Sequence, residues 1–504
     1  MALRHLDRLT AVDASFLHQE SPVSHMHIGA LVRAEGPAPP YDEFLDSIRA
    51  RLHYVPRYRQ RLVYPPASTG RPLWADDTDF NLEYHVRHTA LPAPGSEEQL
   101  TNLAARVFSQ QLDRSKPLWE LWLVEGLADG GFALLSKSHH AMIDGIAGVD
   151  LGTVLFDLTP EGRSPEEGLE PWTPDPQPNP LDLLIDGVAA MTKASLGVAA
   201  KAVGALTRPE RALEEAAVAA EGLGEIVWAA ANPAPPSPLN VEIGPHRRFA
   251  GIACELADFK TVKNVFGGTV NDVVLTVVAG ALRQWLHSRG VRTQGLELRA
   301  LVPVSVRHRD AERNGTGNRL AVMRGPLPVY VEDPVERLDV VRAAMDDLKE
   351  SKQAIGAEVL TSMQQFAPPT VLAQASRLNF STRLFNLLVT NVPGPQFPLY
   401  VQGREMTSVF PIAFLPKNHA LAIAIMSYNG QMNFGLLGDY DAMADLDVLA
   451  EFLRASIDAL AAGAGRRARA AASRAALADG VLGDGREGVP RDRRRGPRGD
   501  RRRG

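Results

Sequence analysis

The sequence predicts an α/β protein built from two mixed units joined by a helical crossover. Three observations predict it. Strand-length apolar or alternating segments interleave with helical periodicities from Leu9 to Leu158, and again from Arg247 to Ala461. Two proline clusters, "TPEGRSPEEGLEPWTPDPQPNP" and "NPAPPSPLN", bracket an Ala-rich helical stretch between those units. A chain of 504 residues also exceeds what one ordinary core supports.

In the first unit "HMHIGALVRAE" reads as a strand, "YDEFLDSIRARL" as a helix and "FNLEYHVRHTAL" as a second strand. "SEEQLTNLAARVFSQQL" is an amphipathic helix with Leu100, Leu103, Ala104, Val107 and Leu112 on one face. "LWELWLVEGLADGGFALLSKSHH" has the form of a hairpin turning at Asp129-Gly130-Gly131. "AMIDGIAGVDLGTVLFDL" then continues as a helix, although three glycines weaken it.

The crossover from Leu181 to Ala231 carries an apolar face wide enough to bury in protein or to rest on lipid, with burial the favoured reading. The second unit contains helices at "TVNDVVLTVVAGALRQWL" and "PVERLDVVRAAMDDLKESK". Strands are expected at "ELRALVPVSVR" and "NLLVTNVPGP", and a hairpin at "ALAIAIMSYNGQMNFGLLGD". After Gly463 the composition collapses to Ala, Arg and Gly, which reads as a disordered tail. The expected division is therefore 1–160, 161–244, 245–463 and 464–504.

Net charge is −5, unevenly spread: Arg466 to Gly504 holds thirteen Arg against five acidic residues, leaving the rest of the chain near −13. That balance excludes a general nucleic-acid binder, while the basic end could attract anionic surfaces. The single cysteine, Cys254, excludes an intramolecular disulfide and a cysteine-based metal cluster, and fits a reducing compartment. Its setting, "FAGIACELADF", is that of an inert buried thiol in a strand. The opening "MALRHLDRLTAVDASFLHQE" lacks the apolar core of a signal peptide, and no stretch is long and apolar enough for a membrane span.

The stretch with most chemistry is "LLSKSHHAMIDGIAG", where His139 and His140 precede Asp144-Gly145. Three readings compete: a metal site, a packed structural turn and a general base. Adjacent side chains on a strand face opposite ways, and the spacing matches no zinc signature, so no metal is expected. A structural turn needs only a histidine bonded to a backbone carbonyl and an Asp-Gly cap. A chemical role needs one imidazole turned toward a cleft, where its neutral form can take a proton from a hydroxyl. Asp144 shares a face with His140 if the intervening residues form one helical turn, and otherwise holds the loop.

"FGGTVND" is a turn leading into a helix, with Thr269 as its N-cap, and lacks the lysine of a phosphate-binding loop. "NVPGP" is a rigid turn. No G-x-S-x-G elbow is present.

"HHAMIDG" also fits the HHxxxDG motif of the bacterial wax ester synthase/diacylglycerol acyltransferase family, a branch of the coenzyme-A-dependent acyltransferases typified by chloramphenicol acetyltransferase. Condensation domains of peptide synthetases share that motif. Further segments resemble the family in its own order: "LTAVDASFLHQESPVSHMHIGAL", "SKPLWELWLVEGL", "PHRRFA", "GGTVNDVVL", "LVPVSVR" with "GTGNRL", and "NVPGP". The resemblance spans residues 5 to 455. It implies a two-lobed chloramphenicol-acetyltransferase-like fold, each lobe a mixed sheet flanked by helices.

By this resemblance His140 is the general base and His139 an auxiliary or structural neighbour. Asp144 gives structural support. Asn271, with Asp272, is a polar group of the active centre from the other lobe, and Asn318 matches the GN position. The implied reaction is direct acyl transfer from acyl-CoA, a co-substrate, with no permanently bound cofactor and no acyl-enzyme.

The expected acceptor is diacylglycerol, giving triacylglycerol; the alternative is a long-chain alcohol, giving a wax ester. A carrier-thioester condensation enzyme and a non-catalytic lipid-binding protein remain as further alternatives. Such acceptors imply cytoplasmic protein in peripheral contact with the inner membrane face or a lipid droplet, through Leu181–Ala231 or the Arg-rich tail. Neither nucleic acid nor a protein partner is implied.

Overall fold

The computed structural model describes residues 7–142, 151–162, 171–185, 187–189, 192, 232–306, 319–350 and 380–483. Asp144 and Asn318, the helical expectation for 143–150, and most of the Leu181–Ala231 region lie outside the described residues.

The first half runs β1 (Asp7–Arg8), α1 (Ala11–Gln19), β2 (His27–Ala34), α2 (Tyr41–Arg51), β3 (Gln60–Val63), β4 (Leu73–Asp76), α3 (Leu82–His85), β5 (Val86–Ala90), α4 (Glu97–Phe108), β6 (Trp119–Glu125), β7 (Phe132–His139) and α5 (Leu151–Leu155). Local chemistry sets several boundaries. In α4, Ser96 and Gln99 form a reciprocal capping box, and Leu100, Leu103, Ala104 and Val107 are buried. The β6–β7 hairpin turns at Gly130, whose φ is +78°, with the Gly131 amide donating to Asp129 Oδ1 at 3.0 Å.

"FNLEYHVRHTAL" departs from the expected strand. Asn81 accepts the Glu83 amide at 3.0 Å and starts the one-turn helix α3, so the strand begins only at Val86.

The second half runs β8 (Arg247–Glu255), α6 (Leu256–Phe266), α7 (Val270–Ser288), β9 (Leu298–Val306), β10 (Arg319–Leu327), α8 (Pro334–Glu350), β11 (Leu387–Pro393), β12 (Tyr400–Val401), β13 (Arg404–Ile412), β14 (Leu421–Tyr428), β15 (Gln431–Asp439) and α9 (Leu446–Gly483). The β14–β15 turn is Asn429-Gly430, both at positive φ, as a two-residue hairpin requires. The expected disorder after Gly463 is corrected: α9 continues to Gly483. Alanine and arginine are strong helix formers, and the chain extends a helix already seated by Leu449, Leu453, Ile457 and Leu460.

Two six-stranded sheets result, ordered β12-β13-β2-β7-β6-β5 and β10-β9-β11-β14-β15-β8, with a small sheet β1-β4-β3 beside the first. Both large sheets are mixed. The β5–β6 pair is parallel in one, as are β11–β14 and β11–β9 in the other. The first sheet is not local in sequence: β12 and β13 come from the second half, and β13 pairs antiparallel with β2. Strand alternation lets β13 serve two cores, with Val409 in the first and Phe410 and Ile412 in the second. Gly251 makes this closeness possible, since a Cβ there would sit 3.0 Å from the Phe410 ring.

Among the described residues no single helix is long and apolar enough to cross a membrane. The pair α6 and α7 passes together on length and composition, but is bent by 104°, and α7 is packed within the second core.

Candidate active site

Strand β7 delivers the two histidines to one edge of the first sheet, where β2 begins and β13 ends. Backbone bonds hold the junction: the His139 amide donates to Leu118 O at 2.9 Å and the His140 amide to Met26 O at 2.8 Å. At His140 the strand gives way to a single 3-10 turn, His140–Met142. That change of backbone sends the two imidazoles into different surroundings.

The His140 ring stacks on Phe16 of α1, with centroids 4.0 Å apart and planes 20° from parallel. The edge of Phe414, just beyond β13, lies 5.7 Å away at 83°. Its segment is tied to the entry of β2 by the Ser24 hydroxyl, which donates to Leu415 O at 2.8 Å. Burial lowers the His140 pKa to about 4, with its own backbone carbonyl acting the other way and His139 adding to the drop. The ring is therefore neutral at ordinary pH. Its Nδ1 is buried without a hydrogen-bond partner among the described residues.

His139 is 1% exposed and belongs to a different cluster. Its Nδ1 accepts the Ala141 amide at 3.0 Å, while Nε2 lies 3.5 Å from Glu20 Oε2. His27, directly opposite on β2, places Nε2 3.4 Å from Glu20 Oε1. Arg114 Nε donates to Glu20 Oε2 at 2.8 Å, and a second guanidinium nitrogen bonds the same oxygen. Burial would raise the Glu20 pKa, but His139, His27 and Arg114 together hold it well below the usual carboxylate range. Desolvation pushes His27 and His25 down. Lys137, on β7 and fully buried, donates to Val107 O at the end of α4 at 2.9 Å and to Gln110 O just beyond it at 2.5 Å.

The other expected residues fall elsewhere. Asn271 stands in the first turn of α7 and accepts from Asn391 Nδ2 at 3.4 Å. Asp272 is a helix cap: its Oδ2 accepts the Thr269 amide at 2.7 Å, and Thr269 Oγ1 accepts the Asp272 amide at 3.2 Å. Cys254 is buried in β8, its thiol pushed up to about 11 by burial, which suits an inert group. Among the described residues no group of three or more His, Cys, Asp or Glu is arranged to hold a metal ion. An open groove between α4, β8 and α9, lined by Glu97, Arg248, Glu451 and Arg454, includes none of these residues.

Sequence reasoning missed Phe16, Glu20, His27, Arg114 and Phe414. The available signal was His25 and His27 two apart in a strand pattern, which puts both on one face. Their meeting with His139 depends on register across more than a hundred residues.

Family comparison places this geometry in context. Residues 9–274 match the wax ester synthase/diacylglycerol acyltransferase catalytic domain, and residues 316–461 match the C-terminal domain of the same family. The chain is 36% identical over 466 residues to the probable diacylglycerol O-acyltransferase tgs1 of Mycobacterium tuberculosis, covering 92% of this chain and 97% of that protein. It is 33% identical over 463 residues to the probable diacylglycerol O-acyltransferase tgs2 of the same organism, covering 90% and 98%.

Among solved structures it resembles the wax ester synthase/diacylglycerol acyltransferase from Marinobacter aquaeolei VT8, with a TM-score of 0.63 and 28% identity, covering 91% of this chain and 100% of that one. The trichothecene 15-O-acetyltransferase of Fusarium sporotrichioides shares the fold at a TM-score of 0.54 and 14% identity, covering 90% and 95%.

Proposed function

Because the chain belongs to the wax ester synthase/diacylglycerol acyltransferase family, and is thus an acyltransferase whose co-substrate is acyl-CoA, we propose that it acylates diacylglycerol to triacylglycerol with His140 as general base. The observation that carries this reading is the His140 ring itself, neutral and stacked on Phe16 at the end of a central strand.

In this account the imidazole lone pair takes the proton of the acceptor hydroxyl as its oxygen attacks the thioester carbonyl. The C–O bond forms and a tetrahedral oxyanion results. On collapse the C–S bond breaks, and the imidazolium returns its proton to the departing thiolate, releasing free CoA. A base with a pKa near 4 is always available but weak, so bound substrates must stabilise the imidazolium as it forms. No acyl-enzyme and no permanently bound cofactor enters this scheme.

His139 takes the auxiliary role, turned away into the Glu20 cluster. Asp144 keeps its supporting role, and Asn271, paired with Asn391, supplies a polar group from the second lobe. The chain is read as two lobes flanking this edge, with β13 bridging them. We place the protein in the cytoplasm, in peripheral contact with a membrane or lipid droplet. Exposed Leu181, Ile185 and Val188, at helical spacing i, i+4 and i+7, support that contact.

The family description also covers wax ester synthesis, which stands as the second reading. Presenting palmitoyl-CoA with diolein and hexadecanol in competition separates the two. Palmitoyl-dioleoylglycerol in excess supports the proposal; wax ester in excess transfers it to the second reading.

A further inference from the structure

We infer that Glu20 is a positioning residue for the reaction: its carboxylate, set between His27 and His139, fixes the tautomer of His139 and thereby the turn that carries His140. The inference rests on the reading of His140 as the base.

The Glu20 side chain is 3% exposed at the C-terminus of α1. A carboxylate so placed must be ionised and paired, or it costs heavily. Arg114 supplies the charge partner from the segment after α4. The remaining neighbours are the two imidazole Nε2 atoms, at 3.4 Å on one oxygen and 3.5 Å on the other. An ionised carboxylate can only accept, so the His139 imidazole fits best with its proton on Nε2, whereas His27 Nε2 also accepts the Leu112 amide at 3.4 Å.

For His139 that choice has a consequence two residues on. With the proton on Nε2, Nδ1 keeps its lone pair, and the Ala141 amide points at Nδ1 from 3.0 Å. The opposite tautomer would set N–H against N–H at one end and a lone pair against a carboxylate at the other. Glu20 therefore favours the tautomer that turns the Nε2 proton toward its carboxylate and leaves Nδ1 to accept the Ala141 amide.

Ala141 follows His140, and the His140 amide is already bonded to Met26 O at 2.8 Å. The peptide groups on both sides of the His140 Cα are thus pinned, one by Met26, just before β2, and one by His139. The ring these pins aim lies on Phe16, one turn before Glu20, and the Glu20 amide donates to Phe16 O at 3.2 Å. Helix α1 accordingly sets His140 twice, by the face of Phe16 and through the Glu20–His139–Ala141 chain.

The test pairs Glu20→Gln with His139→Asn. Glutamine keeps the shape but loses the charge and replaces one carboxylate oxygen with a donor, so it no longer demands a proton on His139 Nε2. Asparagine at 139 carries an acceptor in the δ position that needs no tautomer. We expect Glu20→Gln to lower kcat about tenfold or more, since small misplacements of a base are costly, while KM for palmitoyl-CoA stays within about twofold. In the His139→Asn background the same change should cost less than about twofold, because the link it acts through is gone.

A measurement on the unaltered protein stands beside these: nitrogen-15 shifts of labelled histidine should show His139 protonated on Nε2 and bare on Nδ1. A proton on Nδ1, full kcat in Glu20→Gln, or an undiminished loss in the double variant would each overturn the inference. His140→Ala separates the two levels of the account. Full turnover in that variant defeats the general-base reading itself. Lost turnover there with full turnover in Glu20→Gln defeats only the role of Glu20.

Discussion

His27 and His139 face each other across β2 and β7 and present their Nε2 atoms to the two oxygens of one carboxylate, Glu20, at 3.4 and 3.5 Å. The pairing places a buried polar cluster behind the strand end and leaves His140 beyond it, against aromatic rings. The two adjacent histidines thus have separate surroundings: His139 is built into the Glu20 cluster, while His140 lies against Phe16 and Phe414.

Acid sensitivity follows from the buried imidazoles. His85 and His140 are lowered to about 4 by burial, and His25, His27 and His419 are lowered for the same first reason. An unfolded histidine titrates near 6.5, so between about 6.5 and 4 the unfolded chain binds more protons. The stability His85 and His140 contribute is fully present above pH 6.5 and is lost as pH falls through about 4. Urea midpoints should drop across that window, and His85→Gln should remove about one proton from the uptake on unfolding at pH 5.

The same burial predicts the kinetic profile. The free enzyme should show kcat/KM level from pH 8 down to about 5.5, with an acid limb near the folded pKa of about 4. Phe414→Ala removes the aromatic edge beside His140 and admits water. The limb should then move up toward 6.5, by about one unit, measured by rapid dilution into each pH.

Lys137 offers a stability test. Lys137→Met keeps the length of the side chain but strips Val107 O and Gln110 O of a charged donor. Equilibrium urea unfolding should show a loss of about 1–3 kcal/mol.

The cap on α7 predicts coupling. Thr269→Ala and Asp272→Asn should each cost about 1 kcal/mol, and the double variant less than their sum, because both dismantle one capping box.

What the sequence revealed was local. The β6–β7 hairpin, the amphipathic face of α4, the Thr269 cap and the β14–β15 turn each arise from residues close together in the chain, and each stands where it was expected. The lapses came where a local rule had a rival. Asn81 broke an apparent strand with a one-turn helix, and an Ala- and Arg-rich stretch that looked disordered extended α9. The non-local features were hidden. Nothing in "REMTSVFPI" says that it joins the first sheet beside β2, and nothing near Glu20 says that His139 will lie against it. His140 was legible because a motif marked it; the rings and carboxylate that place it were not.

The most direct measurement is free CoA released in a single turnover from palmitoyl-CoA with diolein, comparing the unaltered protein with folded His140→Ala. The account predicts acceptor-dependent release that falls by about 10²- to 10⁴-fold in the variant. Release at an unchanged rate would contradict it, because the base would then have to be another group.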